Sequence, residues 1–178
     1  MSISSPLQRC MVAATTLALF GCTARTEAPE EPAPIVHQST GDFPIASAVI
    51  VPAGRTLVFF SGTTPSPAND KATEFSPEYW GNTEAQTASV LGKIKESLAA
   101  QSLTFADVVS MTVYLVADKT RATKEAPARM DFDGMMAAYT RHFGPTSGQP
   151  NLPTRSTVEV ANLVRPGMLV EIEVTAAK

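Results

Sequence analysis

Cysteine is nearly missing from this chain of 178 residues: Cys10 and Cys22 are the only two, and both fall in the first segment. Nothing downstream can therefore form a disulfide. Histidine is as scarce. His37 and His142 stand far apart, with no Cys or His companion at ligand spacing, so no dedicated metal site is expected. Basic clusters are also missing: the net charge is −3 and the Lys and Arg residues are scattered. Phosphate binding needs grouped positive charge, which argues against nucleic acid as the main partner. The apolar run from Met11 to Phe20 is too short to cross a bilayer core of about 30 Å as a helix.

What is present divides the chain into three expected parts. Residues 1–21 read as an export signal, with Arg9 as the positive start and the short apolar run behind it. Leu19-Phe20-Gly21-Cys22 resembles a bacterial lipobox, which implies lipidation of Cys22 and a place on the periplasmic face of a bacterial membrane. Membrane contact would run only through that anchor, with a soluble periplasmic protein as the alternative. Residues 22–40, rich in Pro, Glu and Ala, read as a disordered tether that cannot bury enough apolar surface to order itself; His37 belongs to it. Residues 41–178 are long enough for one domain with its own core.

Within that domain, Ala46 to Val51 and Thr56 to Ser61 read as two strands joined by Pro52-Ala53-Gly54-Arg55. Thr63 to Tyr79, with its prolines, is a long loop. Thr87, Leu91, Ile94 and Leu98 recur at helical spacing and predict a helix over about Asn82 to Gln101. Asp107 to Ala117 is apolar and β-rich, a central strand. Asp118 to Met130 has no assignable structure. Asp131 to Phe143 predicts a second helix with Phe132, Met135, Met136, Tyr139 and Phe143 inward, the two methionines as core filler.

Leu152 to Val174 holds two alternating runs about Arg165-Pro166-Gly167, which predicts an antiparallel hairpin. Val158, Val160, Ile172 and Val174 would share one face, and Arg155, Thr157, Glu159, Glu171 and Glu173 the other. The order β-β-α-β-α-β-β predicts an α+β domain, a mixed sheet with two helices on one face.

Pro153-Thr154-Arg155-Ser156-Thr157-Val158-Glu159-Val160, followed by Val170-Glu171-Ile172-Glu173, closely resembles the C-terminal signature of the RidA (YjgF) family of reactive-intermediate deaminases. Val58-Phe59-Phe60-Ser61-Gly62, Gln86-Thr87 and the run Asp107 to Leu115 match further family motifs in order. The resemblance implies the chorismate-mutase-like fold, a homotrimer with its sheets turned inward, and hydrolysis of small 2-imino carboxylates to 2-keto acids and ammonia without cofactor. It implies Arg155 as the clamp for the substrate carboxylate and Glu171 as the acid that orients water. Ser61, Gly62, Thr63, Phe43 and Thr157 would line the pocket. An Arg fork binds a carboxylate through two parallel bonds, and a carboxylate near the imine carbon can serve the water.

Departures from the family pattern stand beside these matches. Gly41-Asp42-Phe43 replaces a Gly-Pro-Tyr, and Met136 replaces an Asn on the second helix. In the expected hairpin Arg155 and Glu171 would lie roughly 20 Å apart, so they could cooperate only between subunits. A non-catalytic carboxylate-binding trimer is the alternative; ribonuclease action fits the acidic balance poorly.

Overall fold

The computed structural model describes residues 31–39 and 41–178. The expected signal, Cys22 and residues 23–30 of the tether lie outside the described residues.

Among the described residues, Pro32 to Ser39 belong to the same compact unit as the rest, although composition reads them as tether up to the expected boundary at Gly41. Strand β1 (Val36–Gln38) pairs antiparallel with β2 (Ala48–Ile50). Two polar grips hold this segment. The Arg55 guanidinium donates to Pro32 O at 2.8 Å and Ala33 O at 2.9 Å, and His37 Nδ1 donates to Leu152 O at 2.7 Å. Composition missed this because the segment is ordered by hydrogen bonds to distant residues rather than by burying its own side chains. It also changes the partner of β2, which was expected to pair with the strand that follows it.

That following strand, β3 (Leu57–Thr63), instead lies at one edge of a four-stranded sheet with β4 (Val108–Val116), β5 (Thr154–Val160) and β6 (Val170–Ala177). The order is β3-β6-β4-β5. Strand β4 pairs parallel with β5 and antiparallel with β6, so the expected hairpin of β5 and β6 does not form. Met111, Val113 and Leu115 of β4 are all buried, and a strand this apolar is satisfied best with a neighbour on each side. Pairing β5 with β6 would have left β4 on an edge. The parallel β4–β5 pair needs a crossover, which α3 (Phe132–Tyr139) supplies.

One face of the sheet is covered by α2 (Thr83–Ala100) and α3, which also pack on each other. Asn82 caps α2 by accepting from Ala85 N–H at 2.9 Å, and Glu84 sits in its first turn where the helix dipole favours an anion. Val90, Leu91, Ile94 and Leu98 are buried against Val170, Ile172, Val174 and Ala176. Each such aliphatic contributes at most about 1.5–3 kcal/mol. The helical stripe and the strand alternation read from sequence therefore meet as one core.

Residues 161–169, between β5 and β6, keep the expected tight turn at Arg165-Pro166-Gly167, closed by Met168 N–H donating to Arg165 O at 3.3 Å, and this turn is pinned by side chains from elsewhere in the fold. Trp80, at the end of the short helix α1 (Pro77–Trp80), donates Nε1–H to Pro166 O at 2.8 Å. Buried Gln86 donates to Gly167 O at 3.1 Å and accepts from Leu169 N–H at 2.7 Å. Gly167 has φ +82, and a Cβ there would lie 2.5 Å from Trp80 Cδ1 and 2.8 Å from Phe75 O. Gly167→Ala is expected to cost about 2 kcal/mol and lower Tm by roughly 4–8 °C, checked by calorimetry. An unchanged Tm would mean that Trp80 does not hold this loop.

Candidate functional site

The register places the expected site residues on two faces, not one. Met111, Val113 and Leu115 face the helices and stand opposite Arg155, Thr157 and Glu159, so those three side chains are on the helix side at the β5 edge. Tyr114 stands opposite both Val158 and Glu171, and Thr112 opposite Glu173, which puts Val158, Glu171 and Glu173 on the uncovered face. The face sharing expected from the hairpin is therefore corrected on both sides: Val158 and Val160 part from Ile172 and Val174, and Arg155 parts from Glu171. Arg155 and Glu171 lie two strands and three residues out of step. Spacings of about 4.8 Å and 3.3 Å make that roughly 14 Å between Cα atoms, with side chains directed oppositely.

Arg155 sits between β5 and α3 in an aromatic enclosure. Its guanidinium carbon is 4.3 Å from the Tyr139 ring centre, 5.5 Å from Phe43 and 5.8 Å from Phe132. Nη1–H donates to the thioether of Met136 at 3.2 Å. Thioether sulfur is a weak, neutral acceptor, so the cation is held without being neutralised. Among the described residues no carboxylate lies within 4.0 Å of it. Burial pulls the Arg155 guanidinium below its ordinary value, while neighbouring Tyr139 acts in the opposite sense. Burial pushes the Tyr139 phenol up to about 12, with Arg155 again opposing, and its hydroxyl donates to Pro44 O at 2.8 Å.

Thr157 is two residues further along on the same face, and its buried Oγ1 has no partner among the described residues. Sequence placed Phe43 and Thr157 with Arg155, and the structure gathers them. It adds Phe132, Met136 and Tyr139, which were read as packing residues. They fall at i, i+4 and i+7 on α3, one helical face, and that spacing alone cannot tell a core from the wall of a charged group.

Glu171 belongs to a second cluster at the other side of the sheet. The β3–β6 register shifts between Phe60 and Thr63, a bulge that contains Ser61 and Gly62. A Cβ on Gly62 would collide with the Glu171 carboxyl, its carbon only 2.9 Å away. The missing side chain is thus the space that the carboxylate occupies. Among the described residues Glu171 forms no ion pair. Glu173, two residues on, accepts from Tyr114 hydroxyl at 3.0 Å, and that bond raises the Tyr114 phenol above its usual value. Glu159 accepts from Met130 N–H at 2.6 Å and so ties down the residues before α3.

Three residues of the uncovered face expose much apolar surface: Phe59 is 75% exposed, Leu57 45% and Val158 42%. A four-stranded mixed sheet with two helices on one face, one polar cluster on each face and apolar surface on the uncovered side defines a single α+β domain.

The chain belongs to the RidA/YjgF family, whose model, described as Endoribonuclease L-PSP, matches residues 44–178. Protein DfrA of Myxococcus xanthus is 34% identical over 134 residues, covering 75% of this chain and 84% of that protein. Among solved structures, a Pseudomonas aeruginosa protein of unknown function is 28% identical with a TM-score of 0.52. The match covers 80% of this chain and 89% of that one. The Rid-family protein YyfB of Yersinia pestis, also of unknown function, shares the fold with a TM-score of 0.57 at 23% identity. There the coverage is 82% and 98%.

Proposed function

We propose that the protein hydrolyses small 2-imino or enamine carboxylates to 2-keto acids and ammonia, in a site completed by two copies of the chain. The observation that carries this reading is the Arg155 guanidinium, enclosed by three rings and a thioether and lacking any carboxylate partner among the described residues. An enclosed cation without a counter-charge is costly unless an anion is meant to arrive. The substrate carboxylate takes that place through a two-pronged bond. Glu171, seated over Gly62, receives a proton from water as its oxygen adds to the imine carbon. Protons then pass to the nitrogen, the C–N bond breaks, and ammonia leaves as the C=O bond forms.

Arg155 stands on the edge strand β5, whereas Gly62 and the Ser61 and Thr63 beside it stand on β3, at the opposite edge of the sheet. Joining one edge cluster to the other cluster of a second copy is a head-to-tail contact, which closes into a ring when the rotation permits. A homotrimer satisfies this and covers Phe59, Leu57 and Val158. The test is to generate 2-imino acids with an amino-acid oxidase, trap them with semicarbazide, and follow loss of semicarbazone. Arg155→Ala and Glu171→Gln should each fall about a hundred-fold, and co-refolding them in equal amounts should restore about a quarter of wild-type activity. No recovery in mixed oligomers would refute the shared site.

The alternative, a carboxylate-binding trimer without turnover, is favoured by one observation. Phe43, Phe132 and Met136 beside Arg155 carry no proton donor, and the Tyr139 hydroxyl is committed to Pro44 O. Wild-type and Arg155→Ala protein giving equal semicarbazone, while only the wild type binds a 2-keto acid, would establish that reading. Export and lipidation at Cys22 are part of the proposal, supported by the lipobox-like Leu19 to Cys22; lipid labelling that persists in Cys22→Ser would overturn them.

A further inference from the structure

A cleft of about 690 Å³ opens at the end of the sheet away from Arg155, walled by α1, by residues 117–120 and by the pinned residues 162–169. Val116, on its wall, is five residues along β4 from Met111, the residue level with Arg155. That separates the two places by roughly 16 Å. The volume is within the range of small-molecule sites. Its frame is rigid, because Trp80 and Gln86 hold Pro166, Gly167 and Leu169 from below through three hydrogen bonds.

The lining combines two chemistries. Phe75, Val116, Leu163 and Met168 present apolar surface. Glu78 and Asp118 bring negative charge, and Lys119 and Arg165 positive charge, and among the described residues none of these four is in an ion pair. Asp118 is the informative one. It is only 4% exposed, and its Oδ1 accepts from Thr120 N–H at 3.0 Å and from Thr120 hydroxyl at 2.6 Å. Its Oδ2 has no donor among the described residues. That second oxygen is not among the sealed, partnerless polar atoms of the described residues, so it is accessible on the cleft wall, where it can accept from a cationic donor.

We propose that this cleft binds a short apolar peptide with free ends. The ammonium end meets Asp118 and Glu78, the carboxylate end meets Lys119 and Arg165, and apolar side chains lie against Phe75, Leu163 and Met168. A di- or tripeptide suits the volume better than a single small amino acid. The inference does not depend on imine hydrolysis, since it uses none of the Arg155 or Glu171 machinery.

Trp80 is the only tryptophan of the chain and is bonded to the cleft wall at Pro166 O, so its emission reports on this place alone. The intact protein is titrated with Leu-Leu dipeptide, followed by Trp emission and calorimetry, and with the same dipeptide acetylated and amidated at its ends. Saturable binding is expected, weakened at least tenfold by blocking the ends. Asp118→Asn and the exposed-site variant Arg165→Ala should each weaken it several-fold, the latter with an unchanged melting temperature. Arg155→Ala should leave it unaltered. The proposal is overturned by absence of saturable binding at millimolar peptide, by equal affinity of the blocked peptide, by indifference to both cleft variants, or by loss of binding in Arg155→Ala.

Discussion

Replacing Arg155 with methionine is expected to abolish imine hydrolysis while leaving Tm unchanged or higher. Two opposed contributions set the stability. The substitution forfeits a cation over Tyr139 at 4.3 Å, worth up to about 2 kcal/mol when desolvated. It also removes the cost of holding a half-buried charge that has no counter-charge among the described residues, a cost of comparable size. The long apolar side chain of methionine fills the same space beside Phe43, Phe132 and Met136. The net is within about 1 kcal/mol of zero. Activity has no such compensation: removing a charged carboxylate clamp costs about 2–5 kcal/mol, roughly thirty-fold to several-thousand-fold in kcat/KM. A residue kept for packing would show the reverse pattern, with Tm falling and turnover surviving in whatever remained folded. Thermal denaturation and the semicarbazide assay on one preparation decide between them.

Gly62→Ala is expected to fall nearly as far in activity through a single added carbon. The new Cβ enters the space of the Glu171 carboxyl, so that side chain must move while the backbone does not. The chain can accept the substitution, because Gly62 is not in the left-handed region and loss of unfolded-state freedom returns about 0.4–1 kcal/mol. Displacing a catalytic group by about 1 Å is enough for a hundred-fold loss. The expected result is therefore a kcat about a hundred-fold down, a Tm close to wild type, and a similar kcat for Glu171→Gln. A fully active Gly62→Ala protein would remove Glu171 from the reaction.

Arg155, Glu171, Gly62 and Thr157 were legible as candidates because the sequence carries them inside motifs that match in order, and Phe43 because it stands where the family pattern has a Gly-Pro-Tyr. How they are grouped was not. Alternation along β5 and β6 shows that each strand has two faces, but it cannot show which face of one matches which face of the other. That depends on register with a third strand, β4, which lies between them. The expected hairpin set Arg155 and Glu171 apart along one face, whereas in the structure they point away from each other across one sheet. Met136 illustrates the same limit. Its sulfur accepts from Arg155, a contact between residues 19 apart that no local spacing announces.

Local pattern alone determined the two helices that cover the sheet, α2 and α3, each with an apolar stripe, the alternating C-terminal pair of strands, and an α+β order. Those features depend on neighbours within a few residues, where periodicity and burial are the same information. Only the tertiary structure decided that β4 parts β5 from β6, that Arg55 and His37 draw the Pro32 to Gln38 segment onto the domain, and that Trp80 and Gln86 brace a cleft. Each of these is set by hydrogen bonds or strand register between distant residues, and such pairings become favourable only once the chain has closed the loops between them.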